Sequence, residues 1–219
     1  MILAREHRTR QLIEAAGALA VLAGMVALIR VFIVDGYLPA PFVFDTYDTF
    51  MDWFHTAYWA HRPGAYSVWQ TIYLPLSFVI TGLFADPRCY ANSAFDAREC
   101  DLIGITFLVL TFVAAAVVSG IAFYRRDRST ALFRTIAVAA GGPLLFSLER
   151  GNTILLAYIA FVLLYGGLLK SRAGIAFAAG FLANMKIYLI FPLAAFAIKR
   201  KWRTLELSCV AALVLYLVS

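Results

Sequence analysis

Residues 12–34, LIEAAGALAVLAGMVALIRVFIV, followed directly by residues 35–62, DGYLPAPFVFDTYDTFMDWFHTAYWAHR, decide how this chain is read. The first stretch has the length of a membrane-spanning helix, which needs about 20 apolar residues. It is longer than the apolar core of a signal peptide and has no clear small-residue cleavage site, so it reads as a retained helix. The second stretch sets Asp35, Asp45, Asp48 and Asp52 among many aromatic side chains. Carboxylates gathered beside an apolar span must face water or a partner, because lipid solvates neither charge nor backbone.

Composition agrees with a membrane setting along the whole chain. The 219 residues are 63% hydrophobic and 15% charged, against about 25% charged in soluble domains. Mean hydropathy is +0.80. Too little polar surface exists to cover a soluble domain, and apolar runs recur to the end, so the chain is polytopic. The formal net charge of +6 does not point to nucleic acid, because the basic residues cluster in short loops between apolar runs, as in cytoplasmic loops.

The runs predict spans at 12–34, 102–124, 131–147 and 153–169, a short helix hairpin over 173–198, and an incomplete last helix over 204–219. Arg5, Arg8 and Arg10 precede the first span and assign the N-terminus to the cytoplasm. Three further basic clusters follow: Arg125, Arg126 and Arg128; Lys170 and Arg172; and Lys199, Arg200, Lys201 and Arg203. Together these are 12 of the 19 basic residues. All four share one side only if residues 66–84 (YSVWQTIYLPLSFVITGLF) make no net crossing. Residues 35–101 then form one long outer loop with interfacial or re-entrant helices. That loop holds eight acids and three arginines, which suits the outer side. Arg172 to Lys199 leaves 26 intervening residues for two limbs. Each limb reaches roughly 20 Å at 1.5 Å per residue, short of the ~30 Å hydrocarbon core. The limbs are expected to meet at Asn184–Lys186 within the membrane, with Lys186 on the floor of an outward cavity.

Chemistry is expected at this outer side. The spacing of Asp45, Asp48 and Asp52 puts them on one face if the stretch is helical, with His55 and Trp59 continuing it. A carboxylate can act as general base on a hydroxyl or bind a divalent cation. The plainer reading is a solvated loop in which Asp48 caps a helix. Glu149, Arg150 and Asn152 (LERGN) close the third run, and an arginine fork suits phosphate; an ordinary interfacial loop with Glu149 paired to Arg150 is the alternative. Lys186 is an intramembrane ionisable residue and so a functional candidate, against a lysine snorkelling to the interface. Tyr and Trp crowd membrane interfaces regardless of function, so Tyr58 and its aromatic neighbours read either as interface anchors or as a substrate wall. Cys89 and Cys100 would be free to pair outside the cell. No His or Cys spacing marks a metal site.

The order DTYDTFMDWF, then YLPLSF, LERGN and NMKIYLIFPL ahead of KRKWR resembles the GT-C class of polyprenyl-phosphate-dependent membrane glycosyltransferases, in its GT87-like, mannosyltransferase-like branch. The resemblance covers most of residues 12–203. It implies an all-α polytopic membrane protein with a GT-C-like helical core and a long first outer loop. It also implies transfer of a sugar from a polyprenyl-phosphate donor to a hydroxyl on a lipid or glycan acceptor, at the outer face of the inner membrane. Asp52, or else Asp48, would be the catalytic base. Arg150 and Lys186 would hold the donor phosphate, with Asp45, His55, Tyr58, Glu149 and Asn152 supporting or lining the site. The resemblance fixes no cofactor and leaves a divalent cation open. The family pattern has more helices than these residues supply, and the last apolar run stops at Ser219, so a C-terminally truncated or partial chain is expected. A membrane transporter or channel, and a non-catalytic membrane subunit, are the alternatives.

Overall fold

A computed structural model describes residues 2–39, 42 and 48–219. Among them the chain is helical, with no strand. The helices are α1 (Ile2–Asp35), α2 (Met51–Ala60), α3 (Pro75–Leu83), α4 (Ala94–Cys100), α5 (Leu102–Arg126), α6 (Ala131–Ala139), α7 (Gly142–Glu149), α8 (Ile154–Tyr165), α9 (Arg172–Met185), α10 (Phe191–Ile198) and α11 (Trp202–Val218). Short 3-10 turns occupy Pro87–Tyr90 and Ile187–Ile190. Three stretches are long and apolar enough to cross a membrane: His7–Asp35, Leu102–Arg126 and Ala131–Glu149.

The boundaries differ from expectation in three places. The span expected over 153–169 is only the twelve residues of α8, which stops at Tyr165 ahead of Gly166 and Gly167 and is short of a membrane crossing. The first helix begins ten residues before position 12, because the basic segment continues the helix instead of capping it. The run over 131–147 is interrupted between α6 and α7 at Ala140–Gly141. Pro143 lies in the first turn of α7, where it lacks an N–H to donate, so the ladder cannot run through unbroken.

Two ion pairs orient the bundle. Arg10 lies 3.7 Å from Asp127, and Arg134 donates through Nη2 to Glu14 at 2.5 Å. The start of α1, the end of α5 and the start of α6 therefore share one end of the bundle, the basic end. Asp35 and Leu102 consequently lie toward the opposite end, and residues between them leave it and return to it. Within that stretch α3 has nine residues, about 14 Å of helix, well short of a span.

Small residues set how closely the long helices approach. Thr111, Ala115, Ser119 and Ala122 form the buried stripe of α5, at a spacing that stacks them on one face. A Cβ on Gly120 would meet the Thr135 hydroxyl of α6 at 3.2 Å. In α9 a Cβ on Gly180 would lie 2.7 Å from the backbone nitrogen of Ala212 in α11. Asn184 then donates across the same contact to the Ala212 carbonyl at 2.9 Å. Membrane helices use small residues and such interhelical bonds for association, since lipid supplies no hydrophobic drive between them.

The opposite end has its own core. Met51, Trp53, Phe54 and Ala57 of α2 pack with Tyr90, Ala94, Ala97 and Leu108, all buried. Burying a Phe or Met side chain contributes about 1.5–3 kcal/mol, so this cluster anchors α2 on α4 and α5. A Cys89–Cys100 disulfide, with Cα atoms 5.6 Å apart, closes the turn beneath it. Asp101 is fully buried. Its carboxylate accepts from the Gly104 N–H at 2.9 Å, the Asp86 N–H at 3.2 Å and the Tyr90 hydroxyl at 2.7 Å. One side chain thus caps α5 and fastens the 86–90 turn to it.

Candidate active site

The site is built where the turn before α2 meets the loop between α7 and α8. The backbones are sewn together first. The Phe50 N–H donates to the Glu149 carbonyl at 2.7 Å, and the Asp52 N–H donates to the Arg150 carbonyl at 3.0 Å. This approach requires glycine at 151. Gly151 has φ +65°, and a Cβ there would lie 2.7 Å from the Phe50 carbonyl oxygen. Phe50 itself has φ +64°, an uncommon conformation for a bulky residue that turns the chain into α2. Phe50 stands at the helix cap with no side-chain bond, so the expected capping by Asp48 is not what starts this helix. Asp48 lies in the preceding turn and reaches across the interface instead.

The side chains then close the junction. Arg150 donates from Nη1 to Asp48 Oδ2 and from Nη2 to Asp52 Oδ1 at 2.9 Å. Asn152 Nδ2 donates to Asp52 Oδ2 at 2.5 Å, while its Oδ1 accepts from the Ile154 N–H and steadies the start of α8. The Asp52 hydrogen bonds thus occupy both carboxylate oxygens. Asp48 uses Oδ2 alone among the described residues, and its side chain is the more exposed, 36% against 22%.

Lys186 enters from the third direction. It terminates α9 in an extended conformation, and the Ser77 hydroxyl of α3 donates to the adjacent Met185 carbonyl at 3.3 Å. Its ammonium stands 4.8 Å from the Tyr73 ring centre and 6.0 Å from that of Tyr188, within cation–π range. No carboxylate among the described residues forms an ion pair with it, although the Asp52 charge acts on it. Tyr73 is buried, and its phenol is pushed up by burial and next by the Asp52 carboxylate. It remains a neutral phenol beside Asp52 and Asn152. Tyr73 stacks on Trp69 at 5.9 Å, and Trp69 on Trp59 at 6.4 Å. His55 completes the wall against Trp69 at 6.0 Å. Burial holds its imidazole below the ordinary value, against the upward pull of Asp48 and Asp52.

The structure therefore brings together Asp48, Asp52, Arg150 and Asn152, with Lys186 and His55 at their margin. Glu149 is buried and contributes its backbone carbonyl to the junction. Tyr58 points elsewhere: Arg62 donates to its hydroxyl at 2.8 Å and stacks over its ring. Asp45 lies outside the described residues. Ser77 and Gly151 were not among the expected site residues, and Tyr73 was expected only as one of the aromatics of a substrate wall or interface. Gly151 had a signal in its position directly between Arg150 and Asn152; Ser77 had none beyond its type.

The donor set for a cation is small. Two carboxylates converge, both on Arg150, whereas Ca²⁺ takes six to eight oxygens and Mg²⁺ commonly one or two carboxylates with waters. A Mg²⁺ ion would fit only by displacing the guanidinium. No group of three or more His, Cys, Asp or Glu side chains suited to a metal occurs among the described residues. No family model matches the chain, and neither does any curated protein or solved structure.

Proposed function

We propose that this chain is an integral-membrane glycosyltransferase, moving a sugar from a polyprenyl-phosphate donor to a hydroxyl acceptor at the outer face of the inner membrane. The observation that carries this reading is the junction itself. Two carboxylates, a guanidinium and an ammonium from three distant stretches converge at one end of an apolar bundle, where a lipid-borne phosphate and a polar acceptor can both reach. The Cys89–Cys100 disulfide at that end supports an oxidising compartment.

In this reaction the acceptor O–H loses its proton to an aspartate, and its oxygen forms a bond to the anomeric carbon. The bond from that carbon to the phosphate oxygen breaks, and the polyprenyl phosphate leaves with the electron pair. Lys186 and Arg150 offset the charge on the departing phosphate, commonly a large catalytic contribution. Arg150 has a second part to play. An arriving phosphate competes for the same N–H groups that hold the aspartates, so donor binding frees a base as it seats the leaving group. Asp48, with one oxygen open, is the carboxylate best placed for the proton. Asp52, bonded at both oxygens, orients Arg150 and Asn152.

The test is sugar transfer in proteoliposomes across a panel of polyprenyl-phosphate sugars, with product read by mass spectrometry. Asp48→Asn should lower turnover about 10²–10⁴-fold, the usual share of general base catalysis, at unchanged melting temperature. Unchanged transfer by the Asp48→Asn, Asp52→Asn double variant would sink the assignment. A helix interrupted beside a charge within the membrane is also a transporter feature. Uptake of solute into liposomes without transfer would favour that second reading.

A further inference from the structure

At the basic end, α5 and α8 enclose a cleft of about 290 Å³ that the proposed reaction does not use. We infer that it holds one acyl chain of an anionic glycerophospholipid, whose phosphate is bound by Arg126. The site is independent of the glycosyltransferase reading and rests only on the membrane setting of these helices.

In the cleft wall Ala122 and Gly166 pack on each other, where α5 meets the end of α8. A Cβ on Gly166 would come within 2.9 Å of the Ala122 methyl and 2.4 Å of the Val162 carbonyl oxygen. Phe123, Phe161, Val162 and Tyr165 supply apolar sides. Ser119 and Tyr158 form the floor. Their hydroxyls are 2.8 Å apart, and the Ser119 hydroxyl is also 2.8 Å from the Ala115 carbonyl. Tyr158 can donate to Ser119 and Ser119 to Ala115, so both protons are used within the pair. The floor then asks for no polar partner, and a methylene chain can lie against it without stranding a donor.

The mouth is different. Arg126 is the one charged residue of the lining, and no ion pair joins it to a described residue. The nearby carboxylate of Asp127 is turned to its own loop: it accepts from the Ser129 N–H at 3.0 Å and from the Ser129 and Thr130 hydroxyls at 2.7 and 3.0 Å, with Arg10 beside it. Arg128 lies outside the lining, stacked over Tyr124. A guanidinium at the end of an apolar slot is complementary to a phosphate carried on a chain, since the fork can donate two parallel bonds to its oxygens.

Native mass spectrometry of the detergent-solubilised protein tests this with phosphatidylglycerol and phosphatidylcholine of identical chains. Phosphatidylglycerol should be retained about fivefold better, the weight of one basic residue against an anionic headgroup. Arg126→Gln should abolish that preference, Val162→Trp should lower retention of both lipids, and Arg128→Gln should change neither. Equal retention of the two lipids, or an Arg128→Gln loss matching that of Arg126→Gln, would overturn the site in favour of diffuse attraction to basic loops. Should Val162→Trp fail to fold, competition on the wild-type protein decides the role of the chain. Glycerol 1-phosphate, the headgroup without chains, should not displace the lipid, and displacement by it at equal concentration would refute the cleft.

Discussion

The two ends of the bundle use charge differently, one to hold loops and the other to join long helices. Around Asp52 and Asp101, each carboxylate is held by groups from other stretches: Arg150 and Asn152 for Asp52, Tyr90 and the Asp86 and Gly104 backbones for Asp101. At the basic end Arg125 and Arg126 stand in solvent, while Arg10 reaches Asp127 and Arg134 reaches Glu14 from other helices. The difference teaches that similar residue types serve two purposes. At the carboxylate end charge fastens loops that carry no span of their own. At the basic end Arg10 and Arg134 tie α1 to α5 and α6, and Arg125 and Arg126 remain exposed.

Asp101→Ala should strike this contrast hardest. It strands three donors around a fully buried position and removes a helix cap, for a loss of about 3 kcal/mol in denaturant titrations in mixed micelles. A loss under about 0.5 kcal/mol would mean that water already serves those donors. Next comes Gly151→Ala, which forces a Cβ against the Phe50 carbonyl at positive φ. About 1–3 kcal/mol is expected, the range for a strained backbone position. Proteolysis near residues 48–52 should rise in step, and unaltered cleavage would show that the two loops do not depend on each other.

A smaller effect is tied to pH. His55 is half-buried with its pKa held below 6.5, so the unfolded chain binds more protons between the folded value and 6.5. Stability from this residue is therefore complete above pH 6.5 and declines as pH falls through that window. Asp48, Asp52 and Arg150 are the charges that act on it. A His55→Gln variant should show a flatter melting temperature between pH 7 and pH 5, and an identical slope would assign the dependence elsewhere. Smallest of all is Arg128→Gln at the basic end, expected within about 0.5 kcal/mol of wild type. A destabilisation equal to that of Asp101→Ala would erase the contrast between the ends.

Much of the architecture is legible along the chain because its signals are local. Apolar runs of membrane length, the basic clusters between them, and the shortness of residues 66–84 and 173–198 as spans need only neighbours in sequence to be read. The start of α1 was harder, since Arg5, Arg8 and Arg10 mark charge without marking a helix boundary. The Ala140–Gly141 break was written in Gly141, Gly142 and Pro143, but a continuous apolar pattern concealed it. The aspartates, Arg150, Asn152 and Lys186 were recognisable as residue types out of place in so apolar a chain. Their partners were not, because Arg150 meets Asp48 and Asp52 across about a hundred positions and no local pattern records such a pairing. Tyr58 illustrates the reverse case: its neighbours in sequence suggest a substrate wall, while Arg62, one helical turn on, draws it to the 90–92 backbone.

By itself, then, the sequence determined the all-helical, lipid-matched character of this protein and the rarity of its polar residues, since burial of apolar side chains and placement of charge follow from composition and order. Only the tertiary structure decided that Arg150 bridges both aspartates, that Asn152 holds one of them, and that Lys186 rests on Tyr73. Those choices depend on which helix ends are brought together, and that is set by the close approaches at Gly151 and Gly180, where the absence of a side chain lets distant backbones meet.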